Sequence, residues 1–116
     1  MTTEPIVVAE RVAPPEAELE LEIPADLEYF RGHFAGAPVV PGVVQLKWAI
    51  DAARRHLAAG GALAGMEVLK FQRVLMPGSV ATLTLKWVAA DGKLYFSYVS
   101  AEARFSSGRV LFRPTT

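Results

Sequence analysis

The sequence predicts an α+β domain in which one central helix is covered by a curved antiparallel sheet. Three observations carry that reading. Ala17 to Ile23 alternates strictly between apolar and acidic residues, an apolar stripe at helical spacing follows Pro41, and four segments rich in Val, Leu, Phe, Tyr and Trp come after it. The 116 residues, 52% of them hydrophobic and 21% charged, suffice for one core and one domain, residues 1–116. A domain of this size buries roughly two-thirds of the surface its unfolded chain exposes, so it needs neither disulfides nor metal to fold.

Each element has its own signal. In Ala17 to Ile23, Ala17, Leu19, Leu21 and Ile23 fall on one face and Glu18, Glu20 and Glu22 on the other, the pattern of a half-buried strand. Pro24 ends it. Asp26 to Pro41 is dense in Gly and Pro and reads as a loop; a loop that long usually carries function. Pro41 suits the first turn of a helix that runs to Ala59, where Gly60-Gly61 stops it. Val43, Leu46, Ile50, Ala53 and Leu57 make its apolar stripe, and Lys47, Asp51 and Arg54 form a charged line along the stripe's edge. The strands are expected near Met66–Leu75, Val80–Ala89, Lys93–Ala101 and Ala103–Phe112. Pro77-Gly78 and Asp91-Gly92 mark turns, the second a two-residue hairpin signal, and Ser106-Ser107-Gly108 marks a bend or bulge.

Composition excludes several classes of function. There is no cysteine, which removes disulfide frameworks, thiolate metal sites and cysteine nucleophiles and fits a reducing compartment. The longest uncharged stretch, Gly32 to Leu46, is broken by two prolines and three glycines, unlike a membrane span of about 20 apolar residues. The first ten residues lack the basic end and apolar core of a signal peptide, so a cytoplasmic protein without membrane attachment is expected. Net charge is zero, but residues 1–30 hold one base and eight acids, net −7, leaving eleven bases and four acids, net +7, in the remainder. The simplest consequence is an acidic N-terminal segment lying against a basic body. A basic body also suits an acidic carrier protein. The bases are scattered without a basic run, which argues against nucleic acid.

Two histidines differ in setting. His56 falls in the helix's last turn beside Arg54 and Arg55, where the helix dipole favours a cation. His33 lies in the glycine-rich loop and is its candidate general base at neutral pH. Pro41-Gly42-Val43 then opens the helix, whose first backbone N–H groups lack intrahelical partners and can hold an anion or a polarised carbonyl oxygen. A base and an oxyanion donor on one loop point to proton abstraction beside a carbonyl or thioester. Each feature also has a plainer reading, a solvated loop histidine and an ordinary helix start. Trp48 and Trp87 are expected to pack in the core or an interface, and Arg54, Arg55, Lys70, Arg73, Arg104, Arg109 and Arg113 to form a solvated basic surface.

The run Phe30-Arg31-Gly32-His33-Phe34-Ala35-Gly36-Ala37-Pro38-Val39-Val40-Pro41-Gly42-Val43 resembles the G-H-F-x-G-x-P-x-x-P-G-V signature of the hotdog-fold 3-hydroxyacyl-[acyl carrier protein] dehydratases. It looks most like their shorter relatives of aryl polyene pathways. Leu69 to Gly78 is similar, more weakly, to the strand that follows the family's helix and its Pro-Gly turn. The resemblance implies a hotdog, a curved antiparallel sheet wrapped around the central helix, that dimerises by joining two sheets edge to edge. It implies a site at the dimer interface, reached by an acyl chain on a phosphopantetheine arm, and no metal or redox cofactor. Carried over by motif, His33 is the catalytic histidine, the Gly42 N–H polarises the thioester carbonyl, and Phe34, Pro41 and Val43 line the same place.

The chain departs from the pattern on the helix. Where the family has Glu or Asp, fourteen residues after the histidine, this sequence has Lys47, and where a glutamine is common it has Asp51. One turn apart, the two can pair. Either Lys47 or Asp51 then handles the departing hydroxyl and dehydration survives, or the acid/base pair is broken. The alternatives are a hotdog thioesterase, with Asp51 activating water, and a silent acyl-binding homologue.

Overall fold

A computed structural model describes residues 2–27 and 39–114. Its elements are β1 (Ile6–Ala13), β2 (Glu16–Glu22), α1 (Gly42–Leu57), β3 (Ala62–Phe71), β4 (Val80–Val88), β5 (Lys93–Val99) and β6 (Arg104–Arg113). The strands make one antiparallel sheet in the order β1-β2-β4-β5-β6-β3. The sheet curls around α1, which packs on β2, β4 and β5. This is the hotdog that the signature implies.

Period-2 alternation builds the inner face. Ala17, Leu19 and Leu21 of β2, Ala81, Leu83 and Leu85 of β4, and Leu94, Phe96 and Tyr98 of β5 are all buried against the helix, as are Val110 and Phe112 of β6. Fully burying each large apolar side chain contributes about 1.5–3 kcal/mol. Central strands are legible for this reason. The edges are not: β1 is exposed along its whole length, so no alternation marks it, and the sequence reading had no strand there. Hydrogen bonding to β2 and polar side-chain contacts to the body hold it instead. Arg11 pairs with Glu18, Glu10 lies 3.4 Å from His56, and Glu4 lies 3.8 Å from Lys47. The acidic segment therefore does reach basic groups of the body, although its strand neighbour β2 is itself acidic.

The helix begins one residue later than expected and ends earlier. Pro41 is the N-cap, its carbonyl accepting from Val44 N (3.0 Å) and Gln45 N (3.2 Å). Ala58 takes the left-handed conformation (φ 54°) and closes the helix, ahead of Gly60-Gly61. The buried face is also rotated. Leu46, Ala53 and Leu57 are buried as the stripe predicts, but Val43 is 74% exposed, and Gln45, Trp48, Ala49 and Ala52 occupy the core side in its place.

Strand β3 starts four residues before the expected Met66 and ends at Phe71, while Leu75 is buried in the connection that follows. The anticipated irregularity is present on both sides of β6: against β5 the register slips at Phe105, since Tyr98 pairs with Ser106 and Val99 with Arg104, and against β3 the extra residue lies in β3. Glu67 pairs with Arg109 and Lys70 with Ser107, so Val68 and Leu69 oppose the single residue Gly108, and Val68 has φ 52°. This is a bulge. A Cβ on Gly108 would lie 2.5 Å from Leu69 Cδ2 and 3.1 Å from the Phe96 ring, which is why glycine stands there. The hairpin at Asp91-Gly92 is longer than two residues: Ala89–Asp91 form a 3₁₀ turn, and Gly92 has φ 63° before Lys93 pairs with Val88. Among the described residues, no helix is long and apolar enough to cross a membrane.

Candidate active site

The site is built around the N-terminus of α1. Gly42 is its first residue, so the Gly42 and Val43 amides precede the first intrahelical hydrogen bonds and carry the positive end of the helix dipole. The first turn contains no acidic side chain to neutralise that end. A side chain at Gly42 would have to displace a neighbour: a Cβ would lie 2.8 Å from the Phe71 ring, which stands beside the helix start at the end of β3. A glycine at this position leaves space beside the backbone amide. The structure shows that an aromatic ring fills part of that space.

The segment leading into the helix is pinned from several directions. Val40 N donates to Leu75 O (2.7 Å), and Val40 O accepts from Gln45 Nε2 (3.1 Å). Gln45 is buried, and its Oε1 accepts from Ser106 Oγ on β6 (2.6 Å), while its main-chain carbonyl accepts from Tyr98 Oη on β5 (2.6 Å). The helix start is thereby tied to β5, β6 and the connection after β3. Burial pushes the Tyr98 phenol well above its ordinary pKa, with the Glu4 carboxylate adding to the effect, so Tyr98 is a neutral donor throughout the physiological range. None of these polar groups was singled out from the sequence. The available signal was a lone glutamine four and seven residues before Ala49 and Ala52, in the middle of what proves to be the buried arc.

Lys47 and Asp51 do come together, with Lys47 Nζ 2.8 Å from Asp51 Oδ2. The Lys47 side chain is 54% exposed, and Glu4 Oε2 lies 3.8 Å from its Nζ. The pair sits on the outward face of α1 with Val43 and Arg54, away from the chain's own core. His33 and Phe34 fall outside the described residues. His56, the other histidine, faces Glu10 and ties β1 to the helix's last turn.

The remaining sequence candidates are structural. Trp48 is buried, with Nε1 donating to Thr3 O (3.0 Å), and Trp87 meets Phe112 edge to face at 5.6 Å. The basic surface is less uniformly solvated than expected. Arg109 lies 3.4 Å from Glu67 and over the Tyr95 ring, and the Arg54 guanidinium lies 5.8 Å from the Phe112 ring centre. Among the described residues, no group of three His, Cys, Asp or Glu side chains is placed to hold a metal ion.

Comparison with known proteins agrees with this architecture. The family model ApeI-like, described as ApeI dehydratase, matches residues 9–109. The chain is 34% identical over 77 residues to a 3-hydroxyacyl-[acyl-carrier-protein] dehydratase FabZ of Erythrobacter litoralis, covering 59% of this chain and 51% of that one. It is 32% identical over 73 residues to the FabZ of Syntrophomonas wolfei, covering 57% and 51%. The matches thus span about half the length of these curated relatives. Among solved structures, the dehydratase heterocomplex ApeI:P from Xenorhabdus doucetiae superposes with a TM-score of 0.86 at 33% identity, covering 93% of this chain and 96% of that chain. An uncharacterised Erwinia carotovora protein superposes at 0.84, also at 33% identity, covering 97% and 98%.

Proposed function

Because the chain belongs to the ApeI-like family, we propose that it is a dehydratase, converting a 3-hydroxyacyl thioester on an acyl carrier protein to the 2-enoyl thioester in fatty-acid-like or polyene biosynthesis. The observation that carries the reading is the Gly42 amide at the open end of α1, nine residues after the signature histidine. In this reading the thioester carbonyl accepts from Gly42 N–H, His33 takes the α-proton, and negative charge gathers on the carbonyl oxygen where the helix end stabilises it. The Cβ–O bond then breaks. Lys47, held by Asp51, gives a proton to the departing hydroxyl, which leaves as water, and proton transfer through solvent returns His33 and Lys47 to their starting states. Val43, Pro41 and Phe34 line the approach.

The Lys47–Asp51 pair lies on the outward face of α1, which suits a site completed by a second hotdog chain. Edge strand β3 offers the joint: Leu63, Met66, Val68 and Phe71 are about half exposed on a strand with one unpaired side. The Xenorhabdus relative is a heterocomplex; here the proposed assembly is a homodimer, working in the cytoplasm where carrier-linked acyl chains are built.

The test is product analysis. Purified protein incubated with a 3-hydroxyacyl carrier-protein thioester is expected to yield the enoyl thioester by mass spectrometry. Release of free carrier thiol would make it a thioesterase, and a bound but unchanged acyl chain would make it a binding homologue; either would overturn the dehydratase reading.

A further inference from the structure

We propose that Gln45 is a positioning residue for the reaction, fixing the direction in which the Gly42 amide points; the inference rests on the dehydratase reading above. Burying a primary amide is costly unless its donors and acceptors are used, and an apolar side chain would fill the same volume without that demand. Gln45 is 3% exposed, and its two ends have different work. The oxygen accepts from Ser106 Oγ, which anchors the side chain to β6. The nitrogen donates to Val40 O, two residues before Gly42.

The backbone between those two points has little freedom. Val40 is held at its N–H by Leu75 O and at its carbonyl by Gln45. The pyrrolidine ring fixes Pro41 φ, observed at −58°. Pro41 ψ, at 147°, is the one soft torsion left, and the hydrogen bonds from Val44 N and Gln45 N to Pro41 O hold it. The Gly42 N–H vector is therefore determined by the Val40 carbonyl upstream and the first helical hydrogen bonds downstream. Gln45 contributes to both, through its side chain and through its main-chain N–H. An oxyanion donor is effective when it is aimed before the charge develops, and a small misdirection costs rate more than binding.

The expected signature is a fall in kcat with KM preserved. Gln45→Met keeps the length of the side chain but cannot bond to Val40 or Ser106. With a 3-hydroxyacyl carrier-protein thioester it should lower kcat by about 10- to 100-fold and change KM by less than about twofold. Val110→Ala, a core truncation toward the other end of β6, is the control for stability alone and should leave kcat near that of wild type while lowering Tm. Equal kcat losses in the two variants, or an unchanged kcat in Gln45→Met, overturn the inference while wild-type turnover leaves the dehydratase reading intact. An inactive wild type overturns both. If Gln45→Met does not fold, Gln45→Glu carries the test: its protonated carboxyl can donate to Val40 O and its carboxylate cannot. Its kcat relative to wild type should then rise as pH falls, and a flat ratio contradicts the proposal.

Discussion

At Gly42 the missing side chain has a steric cause as well as a chemical one, because the Phe71 ring occupies the volume a Cβ would need. Phe71 is half exposed and its ring can swing aside, so Gly42→Ala is expected to cost only about 1 kcal/mol, the low end of overpacking. Trimming Phe71 to Ala in the same chain should recover most of that loss, read as the denaturation midpoint of the double variant. Tyr98 gives a second expectation at this scale. Its raised pKa means that the folded state holds the phenolic proton to higher pH than the unfolded chain does. The resulting stability is fully present below about pH 10 and is lost as pH climbs from there toward the folded-state pKa, at up to about 1.4 kcal/mol per unit. Urea titrations of wild type and Tyr98→Phe between neutral and alkaline pH check this. The variant should start about 1–3 kcal/mol less stable, since the phenol bonds a buried carbonyl, and should lack that alkaline component. Of these residues the sequence displays Gly42 and His33 through their loop and motif. Phe71 and Tyr98 read as ordinary strand residues, because what matters about them is a neighbour distant in the chain.

Among the elements, legibility follows burial. Strands β2, β4 and β5 alternate because one face is wet and one dry, and their ranges are recovered within a few residues. Edge strand β1 has no dry face and gives no periodic signal. In β3 the alternation is broken by a bulge whose cause, Leu69 folding over Gly108, involves two strands at once. Gly108→Ala should therefore destabilise the sheet by about 2 kcal/mol, more than the change at Gly42, because Leu69 and Phe96 both crowd the new methyl. Pairing it with Leu69→Ala should relieve part of the cost. The helix was placed correctly, but its buried face was read too far toward Val43. A polar Gln45 on the core side hid the true arc, and an exposed Val43 beside the helix start imitated it. The Lys47–Asp51 pair, by contrast, was visible from its spacing. As an exposed pair it supports the helix by only about 0.3–0.5 kcal/mol, so Lys47→Met should leave the Tm almost unchanged while lowering turnover.

Among the described residues the large apolar side chains left exposed fall on the two edges of the sheet, Ile6, Val7, Val8 and Val12 on β1 and the larger group on β3, from Leu63 to Phe71, and at Val74, Met76 and Val80 beyond it. Val43 lies outside the core as well, on the open face of α1. A single chain leaves these surfaces wet, which is the physical reason to expect a second chain along β3. Val68→Lys with Leu63→Lys should shift the protein toward monomer in sedimentation and reduce dehydration with it. Charge belongs to this scale too: the basic remainder of the chain, with Arg54, Arg55 and Arg73 exposed, suits an acidic carrier. Reversing Arg54 and Arg73 to Glu should weaken carrier binding at low salt, and an affinity equal to wild type would remove that surface from the account. The most direct measurement runs wild type, His33→Ala and Lys47→Glu side by side on a 3-hydroxyacyl carrier-protein thioester, with products read by mass spectrometry. Water loss by wild type that disappears in His33→Ala is the predicted result. A wild type that leaves the substrate intact while Lys47→Glu dehydrates it would contradict the account, because Lys47 would then prevent the reaction rather than take part in it.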